Sequence, residues 1–305
     1  MPPEALDLES TAMNESKNAA LLVEVSLLLT AVFLGTNMVA VKYAVNFIPP
    51  LLVVAIRFAL GGLLLWGLLR ALEPESKLQR KDFGAMLGLG VVVVLLSQVA
   101  FTFGLGYTSA SNTALIYATA PLWGMLLGSV LGLERPKQRG VIGVGLAIMG
   151  VVTIVYGGLG MSETSLPGDL LILGSAACWG FYTALSLPLL RRYSPLAVAA
   201  YPMLFGGLTV AVLASFDLAR TGLGGLDGEA WLAVVYSTLF ATAFAFAAWQ
   251  RGVFRIGANR VLVYQYLVTL TGVISGVLFF GEDFGLNKLV GGALLLGGVY
   301  LARRQ

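Results

Sequence analysis

Residues 35–62 read GTNMVAVKYAVNFIPPLLVVAIRFALGG, and residues 180–207 read GFYTALSLPLLRRYSPLAVAAYPMLFGG. Gly35, Pro50, Gly61 and Gly62 of the first stretch return as Gly180, Pro195, Gly206 and Gly207 of the second, each 145 positions on. Farther along, Asn112 and Tyr117 return as Asn259 and Tyr264 at an offset of 147, and Glu134 returns as Glu282 at 148. Glycine alone could match by chance in a chain that holds 38 of them, but the Pro, Asn, Tyr and Glu matches keep the same order. Ordered matches at a slowly drifting offset are what an internal duplication with small loop insertions leaves behind.

The duplicated unit is built for lipid. At 58% hydrophobic and 11% charged residues, with a mean hydropathy of +0.86, the chain has too little polar surface to enclose itself in water. A bilayer-spanning helix needs roughly 20 apolar residues and satisfies its own backbone, so the apolar runs read as helices. The strand-type alternation of a membrane barrel is absent. There is no histidine, which excludes His-dependent catalysis and His metal ligation, and the single cysteine, Cys178, lies in an apolar run. No cofactor, metal or nucleic-acid partner is implied; the expected partners are the lipid bilayer and a small-molecule substrate. Glu4, Asp7, Glu9 and Glu15 against one Lys17 make residues 1–21 a short polar tail rather than a secretory leader.

Ten spans are expected, at about 22–41, 50–69, 83–103, 111–131, 140–157, 169–189, 196–215, 230–250, 260–280 and 287–302. Proline and glycine punctuate the joints at Pro49–Pro50, Glu73–Pro74, Arg135–Pro136, Pro167–Gly168 and Ser194–Pro195. Basic residues gather in alternate loops, around Arg70 to Lys81, Arg135 to Arg139, Arg191–Arg192, Arg251 to Arg260 and Arg303–Arg304; the intervening loops hold Lys42, Arg220 and Lys288. The positive-inside rule then places both termini in the cytoplasm. Because each copy holds an odd number of spans, the second starts on the opposite face, so the repeats are inverted, an arrangement recurrent in secondary transporters. The expected fold class is all-α integral membrane: ten transmembrane helices as two inverted five-helix repeats, with N and C termini cytoplasmic. The expected divisions are a tail over 1–21, a first repeat over 22–157, a loop over 158–168, a second repeat over 169–302 and a tail over 303–305.

Several stretches resemble the EamA-type members of the drug/metabolite transporter superfamily over nearly the whole chain. They are Gly35 with Lys42, Pro50 and Arg57–Phe58; Ser111–Asn112–Thr113–Ala114 leading to Pro121; Leu133–Glu134, Gly140 and Gly150–Val151; and, in the second copy, Trp179–Gly180, Ala258–Asn259, Gly281–Glu282 and Gly298–Val299. Within that superfamily the chain is most similar to the aromatic amino-acid exporters of bacterial inner membranes. The resemblance implies a multi-pass inner-membrane exporter with its site among spans 1, 3, 4, 6, 8 and 9. The second copy departs from the pattern where Lys42 maps to Leu187, Arg57 to Pro202 and Pro121 to Val268.

Polar side chains inside spans are costly and face protein or a cavity. Among them Asn37, Gln98 and Gln265 supply neutral donors and acceptors for the carboxylate and ammonium of an amino acid, and equally serve to tie helices together. Phe101, Tyr117, Trp179, Tyr182 and Tyr264 supply rings for an apolar or aromatic body. Tyr107 and Trp249 sit near span ends, where such residues form the interfacial belt. Lys42 and Arg57 fall on one side of the membrane and, with Pro121, are candidates for the mouth or gate. A scaffold role for Arg57 competes with this. Glu134 and Glu282 are expected to cap or lock loops. The binding site is thus expected to be pseudo-symmetric in its gates, asymmetric and uncharged.

No Asp or Glu lies mid-span, since Glu24 and Asp169 sit at span starts. A carboxylate proton relay has no carrier, which favours facilitated movement of a small, largely apolar metabolite over proton antiport. The alternatives are a multidrug or other metabolite exporter, whose cationic substrates want a buried carboxylate, and a membrane-embedded enzyme, which needs a base, a carboxylate pair or a metal. Gly124, Gly128 and Gly132, with Gly140, Gly143, Gly150, Gly291, Gly292, Gly297 and Gly298, mark small faces for close helix packing. A monomer is expected, with a homodimer through the glycine-rich spans 5 and 10 as the alternative.

Overall fold

The computed structural model describes residues 3–130, 138–157, 165–221, 227–283 and 285–303. Glu134, the loops 131–137 and 158–164, and the side chain of Asn259 lie outside the described part. The helices are α1 (Pro3–Ala44), α2 (Pro50–Leu72), α3 (Arg80–Tyr107), α4 (Ala110–Tyr117), α5 (Ala120–Val130), α6 (Gln138–Gly157) and α7 (Ser165–Leu185). They continue as α8 (Leu187–Leu190), α9 (Pro195–Thr221), α10 (Gly228–Ile256), α11 (Ala258–Val261), α12 (Leu262–Phe280) and α13 (Leu286–Arg303). Among the described residues, 7 helical segments are long and apolar enough to cross a membrane: α1 from Ala20, α2, α3, the α7–α8 run, α9 to Ala219, α10 and α12. Shorter apolar segments lie at Gly145–Ile154 in α6 and Leu286–Gly298 in α13. The chain is an all-α, multi-pass membrane protein.

Helix ends follow local chemistry. Pro50 opens α2 at a position whose N–H would go unused. Ser109 caps α4 by accepting from the Asn112 amide at 2.9 Å, and Asp227 caps α10 by accepting from Ala230 at 2.7 Å. Gly281 ends α12 at φ 60°, the left-handed conformation glycine adopts most cheaply. The polar tail expected over 1–21 continues as helix back to Pro3, in one piece with α1.

One expected span is broken. The run 111–131 forms α4 and α5, parted at Ala118–Thr119, rather than a single helix. Pro121 is the cause: it has no N–H for the Tyr117 carbonyl, and its ring crowds that carbonyl.

The outer surface is apolar, with Leu60, Leu64, Leu68, Val212, Phe216, Leu232, Leu278 and Phe279 exposed, as a lipid-facing surface requires. Inside, α2 packs on α9 and α6 on α13; α1 meets α12 while α7 meets α5; α3 meets α7 while α10 meets α1. Glycine permits the closest seams. A Cβ on Gly207 would lie 2.5 Å from the Ala59 amide, and one on Gly62 2.6 Å from that of Leu204. Between α6 and α13, a Cβ on Gly150 or Gly298 would reach within 2.5 Å of the Leu295 or Ala147 amide. These glycines of α6 and α13 therefore face each other. Of the ladder at Gly124, Gly128 and Gly132, Gly132 lies outside the described residues, and a Cβ on Gly124 would lie 3.4 Å from the Gly180 carbonyl oxygen.

Candidate functional site

At the centre of the helices lies a cavity of about 30 Å³. It is lined by Leu34, Asn37 and Met38 from α1, Arg57 from α2, Gln98 and Phe101 from α3, Tyr117 from α4, Trp179 from α7, Phe246 from α10, and Gln265 and Val268 from α12. This is room for roughly two or three water-sized spheres. A larger solute enters only if the surrounding helices part.

Local structure explains how these side chains converge. Gln98 is the last residue of a π-helical stretch, Val91–Gln98, inside α3. A second stretch, Ser237–Phe244, occupies α10 146 positions later. Such stretches are uncommon and concentrate at functional sites. Ser237 of the second donates to Asn37 Oδ1 at 2.5 Å, tying α10 to α1. Tyr117 reaches the cavity because α4 stops there.

The rings form a wall. Trp179 stands edge-on to Phe246 at 5.1 Å and packs against Trp249 at 5.2 Å and Tyr182 at 5.7 Å; Phe58 meets Phe246 edge-on at 5.7 Å. Trp179 and Phe246 face the cavity, while Tyr182, Trp249 and Phe58 back them. On the other side Phe101 meets Tyr117 at 5.6 Å. The Tyr117 hydroxyl is held by Ser175 Oγ at 2.9 Å and Ser97 Oγ at 3.3 Å, and Ser97 donates to the Ser175 carbonyl at 3.0 Å. Tyr117 thus offers the cavity a ring, not a hydroxyl.

Several buried polar atoms in this lining have no hydrogen-bond partner among the described residues: Arg57 Nε and Nη1, both amide heteroatoms of Gln265, and Trp179 Nε1. Each such atom costs on the order of 1–3 kcal/mol when left unpaired, and more for a charge. Their convergence makes this a polar focus in the membrane interior.

The structure gathers Asn37, Gln98, Phe101, Tyr117, Trp179 and Gln265, as the sequence led us to expect, and it relocates others. Tyr182 is fully buried behind Trp179 and does not line the cavity. Tyr264, at the end of the turn Leu262–Tyr264, lies apart, in a separate cavity of about 620 Å³ with Glu24, Arg255 and Arg260. Arg57, expected at the outer mouth, is instead 1% exposed and lines the central cavity, so the lining is not uncharged. Its supposed partner Lys42 is elsewhere, donating to the carbonyls of Leu105 at 3.4 Å and Thr108 at 2.5 Å. Pro121 is buried at the start of α5 and acts on backbone geometry rather than as a lining group.

Two residues of the aromatic wall, one lining the cavity and one behind it, escaped the sequence reading. Phe246 was not singled out, and Trp249 was placed in the interfacial belt, whereas it is fully buried and donates to Thr183 Oγ1 at 3.2 Å. Their spacing of three residues on one helix face was the available signal. Tyr107, by contrast, is exposed at the end of α3.

Both ends of the bundle are fastened by polar contacts. At one, Glu282 accepts from the backbone amides of Ala110 at 2.7 Å and Ser111 at 2.8 Å, capping α4 as a loop lock, and the Thr108 hydroxyl donates to Asp169 at 2.5 Å. At the other, Arg192 pairs with Asp82 at 2.6 Å, and Tyr193 donates to Asp82 at 2.7 Å. Burial pushes the Tyr193 phenol up, and Asp82 adds to that, so Tyr193 keeps its proton and remains a donor.

Comparison with known proteins assigns the family. The sequence profile of the EamA-like transporter family matches twice, over residues 21–156 and 166–304. The chain belongs to the EamA-like transporter family. It is similar to an uncharacterized transporter of Bacillus subtilis (strain 168), 26% identical over 285 residues that cover 92% of this chain and 93% of the relative. It is also similar to a protein of Salmonella typhimurium named a probable amino-acid metabolite efflux pump, 25% identical over 90% of this chain and 92% of the relative. A protein of Streptantibioticus cattleyicolor named a probable terminal-alkyne amino-acid exporter is 32% identical over 68% of this chain and 69% of the relative. A solved crystal structure matches the fold with a TM-score of 0.62 at 22% identity, covering 94% of this chain and 96% of that one. As an EamA-family member, the protein is a plasma-membrane secondary transporter that moves small molecules, not an enzyme.

Proposed function

We propose that this transporter exports small, largely apolar amino acids, aromatic ones first, by alternating access of the central cavity. The observation that carries the reading is the cavity lining: rings from both halves of the chain, Phe101 and Tyr117 with Trp179 and Phe246, beside the amides Asn37, Gln98 and Gln265. Rings bury the side chain of such a substrate, and amides meet its polar end. Two of the relatives carry names that refer to amino-acid export. A cationic drug is disfavoured, because Arg57 lines the cavity and no Asp or Glu does.

The proposed frame is ten spans as two inverted five-helix repeats over 22–157 and 169–302, with both termini cytoplasmic. It draws support from the twofold profile match, from the π-helical stretches 146 positions apart, and from helix contacts that interchange when the copies are exchanged. The alternating basic loops orient it.

Counterflow in proteoliposomes preloaded with single amino acids tests the substrate. Exchange of Phe, Trp, Met or Leu is expected, and failure of all four removes the amino-acid assignment while leaving the family intact.

A further inference from the structure

Arg57 is the group that the fold does not account for. It is 1% exposed inside the second span, and among the described residues two of its three guanidinium nitrogens, Nε and Nη1, have no hydrogen-bond partner and no carboxylate pairs with it. It stands over the ring of Phe58, 5.1 Å from Cζ, and interacts with the Tyr117 phenol across the cavity. A buried unpaired charge is among the most expensive arrangements a protein can hold, and inside a membrane it marks function unless a partner is present.

A scaffold role fits poorly. The position matching Arg57 in the second half is Pro202, yet α2 and α9 pack against each other through their glycines from both sides. The helix pair closes with an arginine on only one of its two members.

The cavity also distinguishes between the two ends of a zwitterion. A guanidinium presents a planar fork that matches a carboxylate, an interaction roughly twice as strong as a neutral hydrogen bond. For an ammonium the lining offers no Asp or Glu, only amide oxygens, of which that of Asn37 already accepts from Ser237. This inference rests on the reading of the cavity as the transport site and narrows what it takes. We propose that the site recognises a carboxylate on a lipophilic body through Arg57, with the α-amino group an accessory. Deaminated acids then enter the same site as the amino acids, and amines lacking a carboxylate do not.

The test needs no variant at first. Purified wild-type protein is probed by ligand-induced thermal shift, and in proteoliposomes by competition against labelled phenylalanine counterflow. The probes are phenylalanine, 3-phenylpropionate, phenethylamine and phenylalaninamide, with the tryptophan and leucine counterparts. Phenylalanine and 3-phenylpropionate are expected to act within ~10-fold of each other, and the amine and amide to be at least ~30-fold weaker, the scale set by losing one partner of a buried charge pair. Arg57→Gln should erase that preference, and Arg57→Lys should keep part of it. Equal action of phenethylamine and phenylalanine, silence of every carboxylate, or an unchanged preference in Arg57→Gln overturns the proposal. Should 3-phenylpropionate act in an Arg57-dependent way while all amino acids fail, the amino-acid reading falls and the carboxylate site stands. If phenylalanine and phenethylamine exchange alike, the reverse holds. Should Arg57→Gln not fold, the wild-type ligand panel alone decides.

Discussion

Gln98 and Trp249 separate binding from packing, because the first lines the cavity and the second lies behind its wall. Gln98→Ala is expected to lower amino-acid exchange about tenfold, the cost of roughly one charge-assisted hydrogen bond, with folded yield unchanged. Unaltered exchange would return Gln98 to a helix-tying role. Trp249→Ala should instead lose about 3–5 kcal/mol of stability, as large core truncations do, seen as a fall in the detergent melting temperature. A variant that melts normally would show that the ring is not part of the core. The amides were legible in the sequence because an amide deep in an apolar run stands out. The central placement of Arg57 was not, because its position along α2 says how deep it lies but not which neighbours surround it.

At the scale of elements, the seams and locks set what can move. Gly207→Val would drive a side chain into the Ala59 backbone and should reduce folded yield, whereas Gly67→Ala, with nothing within 4 Å, should be neutral or stabilising by about 0.5–1 kcal/mol, since alanine is the better helix former. Comparable losses from both would mean that α2 and α9 are not held by close approach. Glu282 joins the end of α12 to the first turn of α4, where a carboxylate meets two free amides and the positive helix end. Glu282→Gln weakens this lock by about 0.5–2 kcal/mol, the usual range for a lost helix cap. In a Cys178→Ala background, Ser111→Cys should then react faster with an impermeant thiol reagent, and an unchanged labelling rate would argue against a lock. Helix existence was readable from apolar runs and caps. The break at Ala118–Thr119 had its cause in plain view at Pro121, but the π-helical stretches carry no comparable mark, since they depend on how neighbouring helices take up an extra residue.

Among the described residues a hydrophobic exterior surrounds a small polar cavity, and no carboxylate lines that cavity. Uptake into proteoliposomes is therefore expected to follow the substrate gradient and to proceed equally with and without a proton gradient. Strict dependence on protons would refute facilitated transport and send the search for a carrier to Asp169 or Glu282. The duplication, the membrane class and the family were contained in the linear chain, because repeat spacing, apolar run length and loop charge are one-dimensional quantities that the bilayer reads directly. Which of the buried polar groups share a cavity was a matter of helix rotation and closest approach. Those are set by packing among residues far apart in sequence, and that packing brought Arg57, Gln98, Trp179 and Gln265 together while turning Tyr264 and Lys42 away.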